Sequence, residues 1–349
     1  MLGAPVSAET IEVLPYTDDG RDPDDTGFML YAGGSPNVDI PGAVTTHMIP
    51  DRRAVILREI LNHIGYRDTP IGVGSIFPIG KEDEELVKYL QEHQIDGRTY
   101  EGAGLVECFP SAYDVIHDTI EKHGPNLKVA ALAPMTDLAK AIERQTDADK
   151  FCRIGGLFIQ GRVKVVRGRL VPDPDAYNMA QDMEAAERVF ALQDRLPFTL
   201  VDKRTAYLVP ITRDDCDAFA RTRNPVGAYF KHHAIRGLEC FAERDPETFR
   251  RVYNVAPDEI DTLEGLSKPY DVLVAKAIIN PAGLRTERVG HHTLIGMTDE
   301  SPGIEPADIA MVKADLTNTM LRALRRNRVR NSVRHLLRRA HLLSDPLAA

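Results

Sequence analysis

Short apolar runs of strand character alternate with amphipathic runs of helical character from residue 11 to residue 202, and no other feature constrains the fold so tightly. IEVLPY (11–16) reads as a strand, and DDTGFMLYAGG (24–34) as a helix that starts on acids and closes on glycines. DRRAVILREILNHIG (51–65) has apolar residues at helical spacing, and TPIGVGS (69–75) follows as a strand. The pairing recurs at 112–124 with 126–134, at 135–145 with 153–161, and at 183–193 with 196–202. This order predicts an α/β fold with a mostly parallel central sheet and helices on both faces. No repeat, low-complexity segment or linker interrupts it, so a single domain over 1–349 is expected. Ligands of such sheets bind beyond the carboxyl ends of the strands.

Composition narrows the function. A formal charge of −9 argues against a protein built to grip nucleic acid phosphates. No apolar run reaches the length that spans a bilayer, so no membrane partner is expected. The start, MLGAPVSAETIEVL, lacks the basic and apolar regions of a secretory signal, which points to a cytoplasmic protein. Cys108, Cys152, Cys216 and Cys240 show no metal-type spacing and read as reduced thiols. The segment 310–341 is strongly basic, with Asp315 its single acid. It reads as a helical segment, about 305–345, that packs on the domain, balances charge or offers a surface to a partner.

Directly after the first strand comes TDDGRDPDD (17–25), with five aspartates: Asp18, Asp19, Asp22, Asp24 and Asp25. Two like charges about 4 Å apart repel by roughly 4 kcal/mol at an effective dielectric of about 20. Such a cluster must face water, take up protons or share a cation. It is not an EF-hand: counted from Asp18, the glycine position holds Pro23 and the glutamate position Met29. GVGSIF (72–77) lacks the third glycine of a dinucleotide fingerprint, and no P-loop sequence is present. Asp24 and Asp25 also suit a helix N-terminus on electrostatic grounds alone.

TDDGRDPDD followed by a helix resembles the N-terminal signature of the inosine–uridine nucleoside hydrolase family, in the variant with two extra residues before the final Asp pair. The resemblance runs from about residue 10 to 290. LKVAALAPMTDLAKAI is similar to the strand and turn the family writes as GPLTNLA, GLFIQGRV to its MGG strand, DPDAYNMAQDMEAAERVF to its EFN segment, and PYDVLVAKAIINP to its HDPLA helix. It implies the nucleoside-hydrolase fold, with a Rossmann-like mostly parallel sheet, and a Ca2+-dependent N-ribosyl hydrolase that releases base and ribose from a purine or modified nucleoside. Ca2+ would offset the crowded carboxylates.

Carried over by position, the resemblance implies Asp18 as metal ligand and general base, Asp25 and Asp271 as further ligands, and Thr136 as the donor of a backbone carbonyl. Asp24 and Asn178 would hold the ribose, while Asp19 and Asp22 would orient the loop. Asp271 also suits a plain helix cap, and Asn178 a turn. His47, after the second strand, is expected to approach the ribose. His232 and His233 read as surface residues, with the pocket mouth as the alternative.

The chain departs from the family pattern near the base and the sugar. Tyr270 stands where the family has a histidine tied to leaving-group activation, and a phenol is the weaker acid. Ala176 replaces the ribose-binding glutamate, with Asp175 as its substitute, and Tyr100 replaces a loop histidine. Tyr270 together with TDDGRDPDD makes the chain look most like the nucleoside-hydrolase-like type III effectors of plant-pathogenic bacteria. That likeness adds three expectations: a ribose-containing ligand such as ADP-ribose bound with little hydrolysis of standard nucleosides, a host protein partner, and delivery through a type III system. Homo-oligomers are common in the family, and the resemblance leaves a homo-oligomer open here.

Overall fold

The computed structural model describes residues 9–20, 22–75, 94–95, 98–99, 109–297 and 301–326. Its centre is a nine-stranded sheet. In chain order the strands are β1 (Ile11–Thr17), β2 (Val38–Asp39), β3 (Ala43–Thr45), β4 (Ile71–Val73), β5 (Leu127–Ala131), β6 (Gly156–Gln160), β7 (Phe198–Val201), β8 (Glu287–Val289) and β9 (His292–Ile295). They lie in the order β8-β9-β7-β6-β5-β1-β3-β4, with β2 also paired to β1. Every pairing is parallel except β8 with β9. The mostly parallel sheet expected from the alternation is therefore present.

Side chains alternate across β1: Val13 faces one apolar layer, and Leu14 and Tyr16 face the other. Helices α1 (Asp24–Gly34), α2 (Pro50–Ile64), α5 (Pro225–Arg244), α7 (Tyr270–Ile279) and α8 (Ile309–Arg325) build the first layer. Helices α3 (Ala112–His123) and α4 (Thr136–Ala141), with 183–190, build the second. A short helix α6 (Pro246–Tyr253) follows α5. Strands covered on both faces need apolar residues at successive positions, which is why VAALA reads as a continuous run.

Two close approaches set the helix positions around the site. A Cβ on Gly27 of α1 would lie 2.6 Å from Cγ2 of Val272, so glycine there lets α1 and α7 meet near their N-termini. A Cβ on Gly34 would lie 1.8 Å from the Thr319 carbonyl oxygen, so α8 crosses the end of α1 at backbone distance. The basic end of α8 has a local use. Arg322 donates to the Gly34 carbonyl at 3.2 Å, and Arg326 donates to the carbonyls of Gly33 and Ser35. These are the orphan carbonyls at the negative end of the α1 dipole. Residues 327–341 of the basic segment lie outside the described residues, as do Cys108 and Tyr100. Cys152 and Cys216 are free thiols. Among the described residues no helix is long and apolar enough to cross a membrane.

Candidate active site

A cavity of about 1070 Å³ opens at the carboxyl ends of the strands. Four adjacent strands supply residues at or just beyond their last positions: Asp18 after β1, Leu132 after β5, Gln160 of β6 and Asp202 after β7. The β1–α1 loop adds Asp22, Asp24 and Asp25, and the start of α7 adds Tyr270 and Asp271. Asp175 and Asn178 complete the group of expected site residues on this wall.

The loop is held from behind. Arg53 of α2, with 1% of its surface exposed, donates from Nη1 to the Asp19 carbonyl at 2.5 Å. His233 of α5 is fully buried rather than at the surface, with Nε2 3.0 Å from the Gly20 carbonyl. Asp19 turns inward and accepts from Thr26 Oγ1 at 2.9 Å, and Thr17 Oγ1 donates to Asp25. With two carbonyls and one carboxylate directed into the protein, Asp18, Asp22, Asp24 and Asp25 are left to face the cavity.

Carboxylate oxygens of Asp22, Asp24 and Asp25 lie within 4.8 Å of one another. Asp22 thus stands in the cluster itself, where the sequence suggested a role in orienting the loop. Asp25 and Asp271 act on each other electrostatically across the two helix starts. Burial pushes the carboxyls of Asp24, Asp25 and Asp271 well above the usual range, and neighbouring aspartates add to it: Asp22 and Asp271 for Asp24, Asp271 and Asp18 for Asp25, Asp18 and Asp22 for Asp271. Asp19 is raised to about 7, again chiefly by burial. No described lysine or arginine forms an ion pair with Asp22, Asp24, Asp25 or Asp271. An all-oxygen donor set, buried at Asp24, Asp25 and Asp271 and exposed at Asp22, with no ion-paired lysine or arginine among the described residues, fits a hard divalent cation.

Two expectations fail on geometry. Thr136 does not line the cavity. It begins α4, which directs its carbonyl along the helix, and its hydroxyl donates to Asp182 at 2.6 Å. Leu132, just past β5, lines the cavity instead, and its carbonyl accepts from Asn178 Nδ2 at 2.8 Å. His47 also stays off the wall, on left-handed backbone at φ 64° and half-buried. Asn178 is buried and makes a second bond, to Gln160 Oε1 at 2.9 Å. The strand-end rule alone could have singled out Leu132 and Gln160. Asp175 is exposed at the wall, beside the Asp173–Arg162 ion pair of 2.8 Å.

Beside the carboxylates the wall becomes aromatic and basic. Tyr207 and Tyr270 meet edge to face with ring centroids 6.2 Å apart. Lys268 Nζ stands 4.9 Å from the centroid of Tyr207 and 4.6 Å from that of Tyr253. Burial raises the Tyr270 phenol well above its usual value, and Tyr207 and Asp22 raise it further. Tyr270 therefore keeps its proton and acts as a hydrogen-bond donor. Burial moves the Lys268 ammonium the other way, downward. Nothing in the local sequence marks Lys268, Tyr207 or Tyr253 as belonging together.

Comparison with known proteins bears on the fold and the family. Uridine nucleosidase 1 of Arabidopsis thaliana is 28% identical over 187 residues, covering 50% of this chain and 51% of that protein, so the match spans about half the length of the relative. The structure of the type III effector XopQ complexed with adenosine diphosphate ribose superposes with a TM-score of 0.75 at 19% identity, over 90% of this chain and 95% of that one. The effector protein XOO4466 gives 0.73 at 19% identity, over 90% and 94%. The purine-preferring ribonucleoside hydrolase from Gardnerella vaginalis gives 0.62 at 16%, over 90% and 99%. At these identities the structures speak for the fold. The model of one family, described as inosine-uridine preferring nucleoside hydrolase, matches residues 17–333. On that match the chain belongs to the inosine-uridine preferring nucleoside hydrolase family.

Proposed function

We propose that this protein is a Ca2+-dependent N-ribosyl hydrolase that cleaves the glycosidic bond of a purine or modified nucleoside. One observation carries the reading: carboxylates from the first loop and from a helix late in the chain line one cavity at the strand ends. Asp18, Asp25 and Asp271, with the Leu132 carbonyl and Asp22 close by, would hold the ion. Bound there, Ca2+ would offset the carboxylate charge and act as a Lewis acid toward water and the ribose hydroxyls. Asp18, half-buried at the cavity, takes the proton of the attacking water. Asp24 accepts hydrogen bonds from the ribose hydroxyls. Asn178, fixed by Leu132, binds on the other side of the ring, with Asp175 nearer the opening. Tyr270 donates a hydrogen bond without giving up its proton.

The test is release of reducing ribose from adenosine, guanosine, inosine and uridine by the calcium-loaded protein. Activity that disappears in Asp18→Ala supports the reading. Absence of ribose release, with calcium binding established by calorimetry, refutes it.

A second reading has its own support. The cavity is at the upper end of the range of about 300–1,000 Å³ usual for small-ligand pockets, and Arg162, Lys203, Arg236 and Arg244 line it besides Lys268. That wall suits a larger anionic ribose derivative such as ADP-ribose, the ligand named for the XopQ complex. Calcium-dependent ADP-ribose binding without cleavage would select this reading, and with it a role in a host cell.

A further inference from the structure

We propose that Lys268 is the cation that receives the departing base, in place of an acid at position 270. The proposal rests on the hydrolase reading and names how that reaction handles its leaving group.

When an N-glycosidic bond breaks, the electron pair of the C1′–N bond goes to the base nitrogen. The ribose side is served by the carboxylate end of the cavity. The base side needs positive charge or a proton. Tyr270, at the start of α7, offers a neutral hydroxyl. Lys268 lies two positions earlier, and both side chains line the cavity.

The surroundings of Lys268 are unusual for a lysine. It is half-buried, and no described carboxylate pairs with it. The faces of Tyr207 and Tyr253 hold its Nζ from two sides, at 4.9 and 4.6 Å. Tyr253 ends α6 and Tyr207 ends the helix 203–207, so elements remote in sequence hold one ammonium in place. A cation over aromatic faces keeps its charge but gains no hydrogen-bond acceptor from them. Its donors remain available to a ligand in the cavity. The neighbouring Tyr207–Tyr270 pair supplies flat apolar surface on which a heterocycle can lie. Asp22 acts electrostatically on both Tyr253 and Tyr270, so this group adjoins the carboxylate cluster.

The step balances without a further reactant. Water oxygen bonds to C1′ and its proton goes to Asp18. The base leaves with the bonding pair as an anion, hydrogen-bonded to the Lys268 ammonium, and then takes a proton from solvent. Lys268 stays charged throughout. Its contribution is electrostatic and grows as the bond breaks.

The experiment compares two classes of riboside on the calcium-loaded protein. One is the best-cleaved nucleoside among adenosine, guanosine, inosine and uridine; the other is p-nitrophenyl β-D-ribofuranoside, whose phenolate leaves without help. Lys268→Met is expected to lower kcat/KM on the nucleoside by about 10²–10³, the usual loss for one such donor, and on the nitrophenyl riboside by less than about threefold. Lys268→Arg keeps the charge and is expected to retain most of the nucleoside activity. Equal losses on both ribosides, or an arginine variant as impaired as the methionine one, overturn the proposal and leave the hydrolase reading intact. A wild-type protein that cleaves only the nitrophenyl riboside also overturns it, because help for a poor leaving group is then absent. A wild type inert toward both overturns the hydrolase reading together with the proposal.

Discussion

Replacing Asp25 by asparagine should stabilise the protein without calcium and destabilise it, relative to wild type, with calcium. Asp25 is 4% exposed, and burial first, then Asp271 and Asp18, push its carboxyl well above the usual range. A full like-charge contact at about 4 Å is worth roughly 4 kcal/mol, so relief of even part of it is measurable. The amide keeps an oxygen for the Thr17 hydroxyl and gains a donor toward Asp271, so packing is preserved. Without calcium the variant should melt higher than wild type, at roughly 1.4 °C per kcal/mol for 349 residues. At 100 times its dissociation constant calcium stabilises the wild type by about 2.7 kcal/mol, a rise of roughly 4 °C. The variant, lacking one ligand charge, should lose most of that rise. Thermal melts of both proteins in chelator and in millimolar calcium give four numbers, and the order of the two proteins must reverse. Equal calcium shifts, or a variant that melts well below wild type in chelator, would refute the assignment of Asp25 to a shared cation site.

Two further outcomes follow from contacts around the site. Gly27→Ala places a methyl against Val272 and should force α1 and α7 apart, weakening calcium binding by about tenfold while lowering stability by ~1–3 kcal/mol; calorimetry and melts separate the two effects. Asp315 feels burial, which pushes its carboxyl up, but the Lys276 ammonium at 2.8 Å and the Tyr31 hydroxyl outweigh it and hold the group below its usual value. Its stabilisation is therefore present above the unfolded carboxylate range and lost as pH falls through the folded value. Asp315→Asn, which strands Lys276 at 1% exposure, should cost about 3–5 kcal/mol at neutral pH, with the gap to wild type narrowing below about pH 4 in denaturant titrations.

Local pattern carried much of the fold. The limits of α1 could be read to the residue because acids open it and glycines close it. The strands of the sheet centre could be read because apolar runs of that length have few other uses. The Asp loop was legible for the same reason, since uncompensated charge at a strand end is rare. Thr136 misled because a carbonyl ligand leaves no trace in its own side chain; only the start of α4 shows that Leu132 faces the cavity. His47 depends on a backbone angle that the sequence does not announce. His233 looked like one of an exposed pair because the loop it supports is more than two hundred positions away in the chain. Lys268, Tyr207 and Tyr253 come from different elements, and nothing in any one of them records the other two.

The departures from the family pattern share one direction. Asp18, Asp24, Asp25 and Asp271, which the resemblance calls for, all line the cavity, while Tyr270 and Ala176, which depart from the family pattern, line it where the proposed reaction would grip base and sugar. A cation site tolerates little loss, since each missing ligand leaves buried charge unbalanced. A base site has more solutions, because the electron pair that leaves with the base can be met by a proton, a hydrogen bond or a fixed charge. Under the proposed reaction the cavity is polar along its length, with carboxylates where positive charge develops on the ribose and an ammonium where negative charge arrives on the base. That polarity, more than any single acid, is what replacement of a histidine by Tyr270 has to preserve.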